Sequence, residues 1–573
     1  MLRPGEPLQA GKNDESVEER LFPAHQASEK MTINRRDTIL LALASTGAAL
    51  PAGTARGQAG AASIRSGWGT TVEGQRRADL GNGTYRNPVL AGDRPDPNIL
   101  KDGKDYYATF SSFLYYPGVP IWHSRDLVNW TPLTAALKTP IGNVWALDIA
   151  KHDGRYFIYI PVLDDADTAR PLKTFVIHAP AMKGPWSEPI DLELDGYIDP
   201  GHAVGEDGKR YLFFNGGNRV QLSDDGLSAV GKPQHVYDGW PIPPQWIIEG
   251  FALEGPKLIR RGGWFYMFSG QGGTAGPPTS HMVVVARSCS INGPWENCPN
   301  NPIVRTVSRD EPWWSRGHAT AVEGPDGRWW LVYHGYENGL RTLGRQMLLE
   351  PMEWTADGWP RATGGDLSRA LPKPGGSGGA HGQPLSGFKP DAIGPRLTFW
   401  NPRPGYLARA TIADQALTLA GQGASPADSS PLLFVAGDRS YDVRVEVELR
   451  GAAQAGLLLF YNEQLFCGLG LGNERLHAYR IGQEERWPAG AKTDARRLFL
   501  RLVNDEQVVT FYHSRDGQSW TAERSFEVAG YNHNVADGFL SLRPAIYATA
   551  GGKAVFRDLS YRALSGVSDT VRA

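Results

Sequence analysis

The chain has 573 residues with 59 Lys and Arg against 61 Asp and Glu, a formal net charge of −2, and so lacks the basic excess of a nucleic-acid-binding protein. Aromatics make up 10% of it, 18 of them Trp, and the 68 Gly and 42 Pro suit short strands joined by tight turns rather than helical bundles. Three cysteines, Cys289, Cys298 and Cys467, show no C-x2-C spacing, which argues against structural zinc. Cys289 and Cys298 sit nine residues apart across a turn and are read either as a small-loop disulfide or as two thiols.

In chain order, residues 1–62 are predicted to be an N-terminal extension and signal peptide. Arg35-Arg36 precedes an apolar run, Thr38 to Leu50, too short to span a bilayer, and small residues follow to about Ala62. The paired arginines point to export by a twin-arginine route, to the periplasm or beyond, and Met31 is an alternative start. No later stretch is apolar enough for a membrane span.

Residues 84–362 carry a five-fold repeat. An Asp-Gly or Arg-Gly turn followed by an aromatic strand recurs at Asp102-Gly103, Asp153-Gly154, Asp207-Gly208, Arg261-Gly262 and Asp326-Gly327, at intervals of 51, 54, 54 and 65 residues. A second element, ending at Trp130, Trp186 and Trp295, recurs between them and reads as an outer strand. About 50 residues per unit fits a four-stranded blade, and five blades close a ring without free edges. The expected fold is therefore all-β: a five-bladed β-propeller, a Gly/Pro-rich linker over 371–385, and a jelly-roll-like β-sandwich over 386–565, whose strands alternate as in Tyr441 to Leu449.

Three acids share one register. Asp96, Asp199 and Glu254 precede the Asp-Gly or Arg-Gly turn of their own repeat by seven, nine and eight residues. Equivalent positions on different blades face one axis, so the three carboxylates are expected to meet. Pro95 and Pro97 hold Asp96 in a rigid turn.

The motifs Arg86-Asn-Pro-Val-Leu, Arg94-Pro-Asp-Pro-Asn, Trp145-Ala-Leu-Asp148, Ile198-Asp-Pro200, Leu253-Glu-Gly-Pro256, Arg316-Gly-His318 and Leu343-Gly-Arg345 together resemble glycoside hydrolase family 43, the family of β-xylosidases and α-L-arabinofuranosidases. Residues 386–565 resemble the concanavalin-like sandwich often appended to its β-xylosidases. The resemblance implies an inverting O-glycosyl hydrolase acting on hemicellulose oligosaccharides, exo-acting, with xylose or arabinose released. It implies Asp96 as general base, Glu254 as general acid and Asp199, ionised, as the residue that tunes and orients the acid. Phe113 and Trp145 would wall the sugar subsite, Arg345 would donate to sugar hydroxyls, and His318 would hold a water or a calcium ion; no cofactor is otherwise required. A loop of the second domain, 538–550, would close one side of the pocket. Leu147 stands where the family usually has proline, and Gly201-His202 follow Pro200 where it usually has a small residue and then Leu-Phe.

Other candidates compete. Asp93 and Asp148 are read mainly as turn acids, Glu249 as a rival acid without the Gly-Pro flank, and His281 as a residue that either lines the pocket or does not. A retaining fructan hydrolase would carry Asn-Asp-Pro-Asn-Gly and Glu-Cys motifs, which are not found here. A galactan- or arabinan-directed family member, and a non-catalytic carbohydrate-binding propeller, are the remaining alternatives.

Overall fold

The computed structural model describes residues 69–70, 76–163, 172–375, 387–389 and 391–564. All lie within one compact unit, residues 63–573. The signal-peptide reading of residues 1–62 falls outside the described residues, as does most of the linker.

Five antiparallel sheets correspond to the five repeats. Each starts with a hairpin whose turn is one of the Gly turns read in the sequence: Asn98–Asp102 with Asp105–Thr109, Asp148–His152 with Arg155–Leu163, Gly201–Val204 with Arg210–Phe214, Glu254–Arg261 with Trp264–Gln271, and Trp313–Glu323 with Trp329–Glu337. Gly103 has φ +62° with open space where a Cβ would stand, so the turn requires it for backbone conformation alone. Two further strands complete each blade, and the Trp130, Trp186 and Trp295 elements lie at the entry to the fourth.

The second strands are buried on both faces, as in Arg210–Phe214, because each sheet packs against a sheet on either side. Separate cores fill the gaps between blades. Tyr106 and Trp122 of the first meet Val332 and Leu349 of the fifth; Phe157 and Val176 of the second meet Leu212 and Phe214 of the third. Phe213 then meets Phe265 and Met267 of the fourth, and Phe268 and Val283 meet Leu331 and Tyr333 of the fifth. The ring closes where residues 89–94 run beside the strand Arg345–Trp354, through Val89 N–H to Met347 O (2.9 Å) and Arg94 N–H to Arg345 O (2.7 Å).

Residues 398–564 form two facing antiparallel sheets of a sandwich, one of seven strands and one of eight, and the only α-helix among the described residues is His533–Ala536. The eighth strand of the second sheet is borrowed from the propeller: Tyr115 and Tyr116 pair with Trp400 and Phe399. One continuous core accordingly holds Ile121, Ile149 and Ile158 of blades one and two together with Phe399, Phe434, Leu457 and Phe460 of the sandwich. The linker begins as structure rather than as flexible chain, since Leu371 and Pro372 pair with Tyr85 and Thr84. The three cysteines are free thiols, Cys289 exposed and Cys298 and Cys467 buried, which settles the open choice against a disulfide.

A buried ion network also crosses the interface. Glu337 on the fifth blade accepts from Arg76 (2.7 Å) and from Arg439 of the sandwich (2.7 Å), and Arg76 Nε donates to Gly437 O (3.0 Å). Glu337→Gln leaves the Arg76 guanidinium buried without its counter-charge, a loss that in comparable sites costs about 3–5 kcal/mol. Urea unfolding of the variant is expected to show that order of destabilisation; a loss below about 1 kcal/mol, the range of an exposed ion pair, would show that the network does not hold the domains together.

Candidate active site

Each axial acid lies where a blade begins, Asp96 and Asp199 two residues before the innermost strand and Glu254 as that strand's first residue. Asp96 and Asp199 adopt left-handed backbone, φ +55° and +59°, as do Phe113 (+46°) and His318 (+57°). Such conformations cost about 1–3 kcal/mol each for residues with a Cβ and persist only where surrounding structure imposes them. Four in one small region mark a site shaped against local preference.

Asp96 is buried and almost fully coordinated. Its Oδ1 receives Arg345 Nη1 at 2.7 Å, and its Oδ2 receives the Ser111 hydroxyl at 2.5 Å. Its backbone N–H donates to His334 Nδ1 at 3.1 Å, which places the proton of that neutral ring on Nε2. Burial pushes the Asp96 carboxyl up, but the Arg345 charge beside it outweighs burial and holds it well below the usual carboxylate range. Asp96 is therefore an anion.

Asp199 and Glu254 move the other way. Burial, then the negative charge of Asp96, raises Asp199 to about 7, against a weaker pull from Lys257 and from the Gly255 N–H bonded to its Oδ2 at 3.1 Å. Burial, then Asp199 and Asp96, drives Glu254 well above its ordinary value, although its side chain keeps 22% of its surface open to the cavity. Like charges that share a low-dielectric site cannot all ionise together. The expectation that Asp199 is simply an anion is thereby changed: near neutral pH it titrates, and the pair Asp199–Glu254 carries protons while Asp96 does not.

The family motifs have visible steric reasons. A Cβ on Gly255 would lie 2.7 Å from His318 Nε2, and one on Gly317 would lie 1.9 Å from His281 Cδ2, so only glycine permits these approaches. His281 is fully buried, with Nδ1 3.6 Å from Glu254 Oε1, and it stacks on His334 with ring centroids 5.3 Å apart. It thus belongs to the site. Burial keeps all three channel histidines neutral, pushing His318 down to about 3. His318 Nε2 is buried without a hydrogen-bond partner among the described residues and is the ring atom left to hold a water or an ion. Calcium takes six to eight oxygens, and among the described residues no three His, Cys, Asp or Glu side chains converge on a metal-sized space.

The turn acids resolve as structural. Asp148 accepts from Asn98 Nδ2 (2.6 Å), Lys257 Nζ (3.0 Å) and His202 N–H (2.8 Å), tying four blades at the axis. Asp93 accepts from Arg345 N–H (3.1 Å) and from Arg543 of the sandwich (3.0 Å). Glu249 is exposed and holds the loop N–H groups of Ala275 and Gly276.

Aromatic groups surround the acids. The Arg345 guanidinium lies 5.9 Å from the Phe113 ring and 5.3 Å from Phe539, and Phe539 meets Trp145 edge-on at 6.3 Å. Phe539 comes from the second domain, in the loop expected to close the pocket. Sequence reasoning did not single out Phe539, Ser111, Lys257 or His334. Lys257 stands inside the Glu-Gly-Pro-Lys motif, and His334 interrupts the apolar strand Trp329–Glu337, a signal that could have marked it.

Residues 85–360 match the sequence model of glycosyl hydrolases family 43. The chain is 33% identical over 301 residues to a non-reducing-end α-L-arabinofuranosidase of Bacteroides ovatus, covering 49% of this chain and 54% of that protein, so the match spans about half the relative's length. A putative β-xylosidase of Escherichia coli is 27% identical over 488 residues, 76% of this chain and 90% of the relative. The crystal structure of a family 43 protein from Bacillus licheniformis superposes with a TM-score of 0.72 at 26% identity, over 84% of this chain and all of the other.

Selective 13C labelling of Asp and Glu gives a direct check. The Asp199 carboxyl is expected to titrate near pH 7, and in Asp96→Asn its midpoint should fall, because the charge that raises it is gone. An unchanged midpoint would mean that Asp96 does not act on Asp199.

Proposed function

We propose that the protein is an inverting exo-glycosidase that removes a terminal pentose, xylose or arabinofuranose, from hemicellulose oligosaccharides. The observation that carries this reading is the division of charge among three neighbouring carboxyls: one locked as an anion by Arg345, two pushed toward the protonated form. Single displacement at an anomeric carbon needs that division, a base on one face and an acid on the other.

In this mechanism Asp96 takes a proton from water as the water oxygen bonds to the anomeric carbon. Glu254 gives its proton to the glycosidic oxygen as the bond to the leaving sugar breaks. Asp199 keeps Glu254 protonated by its nearby charge above pH 7, and by its own proton it shares the site below. Arg345 holds the base ionised and fixes its orientation, a role additional to binding sugar hydroxyls. Phe113, Trp145 and Phe539 offer ring faces and edges to the apolar side of one sugar ring. With the second domain closing one side, the pocket admits a chain end, which supports exo action. The Arg35-Arg36 segment supports an exported enzyme of periplasmic or extracellular location.

Asp96→Asn and Glu254→Gln should each lower kcat by about 10²–10⁴-fold on an unactivated xylo- or arabino-oligosaccharide without unfolding the chain. Proton NMR of the first-formed sugar should show the anomer opposite to that of the substrate; the retained anomer would remove the single-displacement mechanism. Turnover of galactan or arabinan fragments in preference to terminal pentosides would reassign the substrate. No turnover of any glycoside, with sugar binding intact, would make the protein a carbohydrate-binding propeller.

The pH profile follows from the same charges. A base held below 3.8 and an acid raised above 4.5 place the acidic limb of kcat/KM below pH 3.8 and the alkaline limb well above 4.5. Arg345→Gln should move the acidic limb upward, since the counter-charge that lowers Asp96 is lost; an unmoved limb would show that another group sets it.

A further inference from the structure

A second cleft lies on the other side of the turn that carries Asp96, between the first blade and the sandwich. It encloses about 500 Å³ of empty space, solvent included, and Asp96, Glu254, Trp145 and Arg345 take no part in its lining. Its walls bring together three arginines, Arg94 and Arg543 (both buried) and the half-buried Arg396, against a single acid, Asp93. That acid is already engaged, by Arg543 at 3.0 Å and by the Arg345 backbone N–H at 3.1 Å. The lining is therefore net cationic by two charges.

The uncommitted groups are donors. Arg396 makes no side-chain hydrogen bond or ion pair with any described residue. The Tyr115 side chain is 2% exposed, yet its hydroxyl has no partner among the described residues, although a buried phenol usually has one. Ser112 Oγ accepts from Val119 N–H at 3.0 Å, while no described residue takes its own proton. The Arg543 guanidinium carbon lies 3.6 Å from the Tyr115 ring centroid and that of Arg94 4.8 Å from the Trp122 ring, cation–π contacts that hold both charges at the cleft wall.

We propose that this cleft binds a small oxyanion, a carboxylate or a phosphate, on Arg396, Tyr115 and Ser112 within the field of Arg94 and Arg543. Guanidinium groups match the planar or tetrahedral oxygens of such anions, and positive charge gathered in a partly desolvated cleft is stabilised by an anionic occupant. Two sources share this chemistry: free inorganic anion and the carboxylate of an acidic sugar. The cleft wall includes Asp93 and Ser111, which hold Arg345 and Asp96, so occupation would bear on the turn that positions Asp96.

The test is isothermal titration of the full-length protein with inorganic phosphate and, separately, with glucuronate, at constant ionic strength in chloride. Saturable binding of at least one of them at one site per chain is expected. Arg396→Gln should weaken it at least tenfold and Tyr115→Phe several-fold, with melting temperatures of both variants near that of the parent. Phosphate binding alone assigns an inorganic anion, glucuronate alone an acidic sugar, and mutual competition the shared chemistry. Absence of saturable binding for both anions, or binding that neither substitution weakens, overturns the proposal. None of these readouts depends on glycosidase activity.

Discussion

Three carboxyls forced into one low-dielectric channel govern the rest of this structure. Their mutual repulsion and desolvation would disfavour closing the ring unless cations were supplied at fixed points, and two are. Arg345 from the fifth blade neutralises Asp96, and Lys257 from the fourth bonds Asp148 and the carbonyl oxygens of Leu147 and Pro200. What these two do not compensate is settled by protons on Asp199 and Glu254. The division of protons among the three carboxyls is thus the remainder of an electrostatic balance rather than a property of any one residue.

The same balance explains why the second domain is integral. Arg345 is placed through its backbone N–H by Asp93, and Asp93 is held by Arg543 of the sandwich. A chain of hydrogen bonds therefore runs from the sandwich to Asp96. Phe539 reaches over Arg345 from the same loop region, so the domain contributes both a wall and an alignment to the site.

Much of this is legible in the sequence alone. The Gly turns mark blade hairpins because positive φ favours glycine, and near-constant spacing reveals the ring. The shared register of Asp96, Asp199 and Glu254 places them on one axis. What was not legible depends on partners distant in sequence. Asp199 is raised to about 7 by burial and then by the charge of Asp96, and Lys257 reads as an ordinary strand lysine until Asp148 is set beside it. The borrowed strand Tyr115–Tyr116 is too short to carry a periodicity, and its partner lies in another domain. The Pro/Gly composition of residues 371–385 suggested slack, yet Leu371 and Pro372 are paired with the strand beside Tyr85.

That borrowed strand also has a bearing on biosynthesis. Tyr115 and Tyr116 are made early, but the residues that pair with them, 398–400, leave the ribosome only after the whole propeller has been translated. At about 5–20 residues per second, the Tyr115–Tyr116 segment stays without its pairing strand for tens of seconds. Unsatisfied edges of this kind template wrong pairings between chains. The order of synthesis therefore makes the backbone at Tyr115 and Tyr116, in a chain arrested before residue 398, a segment whose partner strand never arrives.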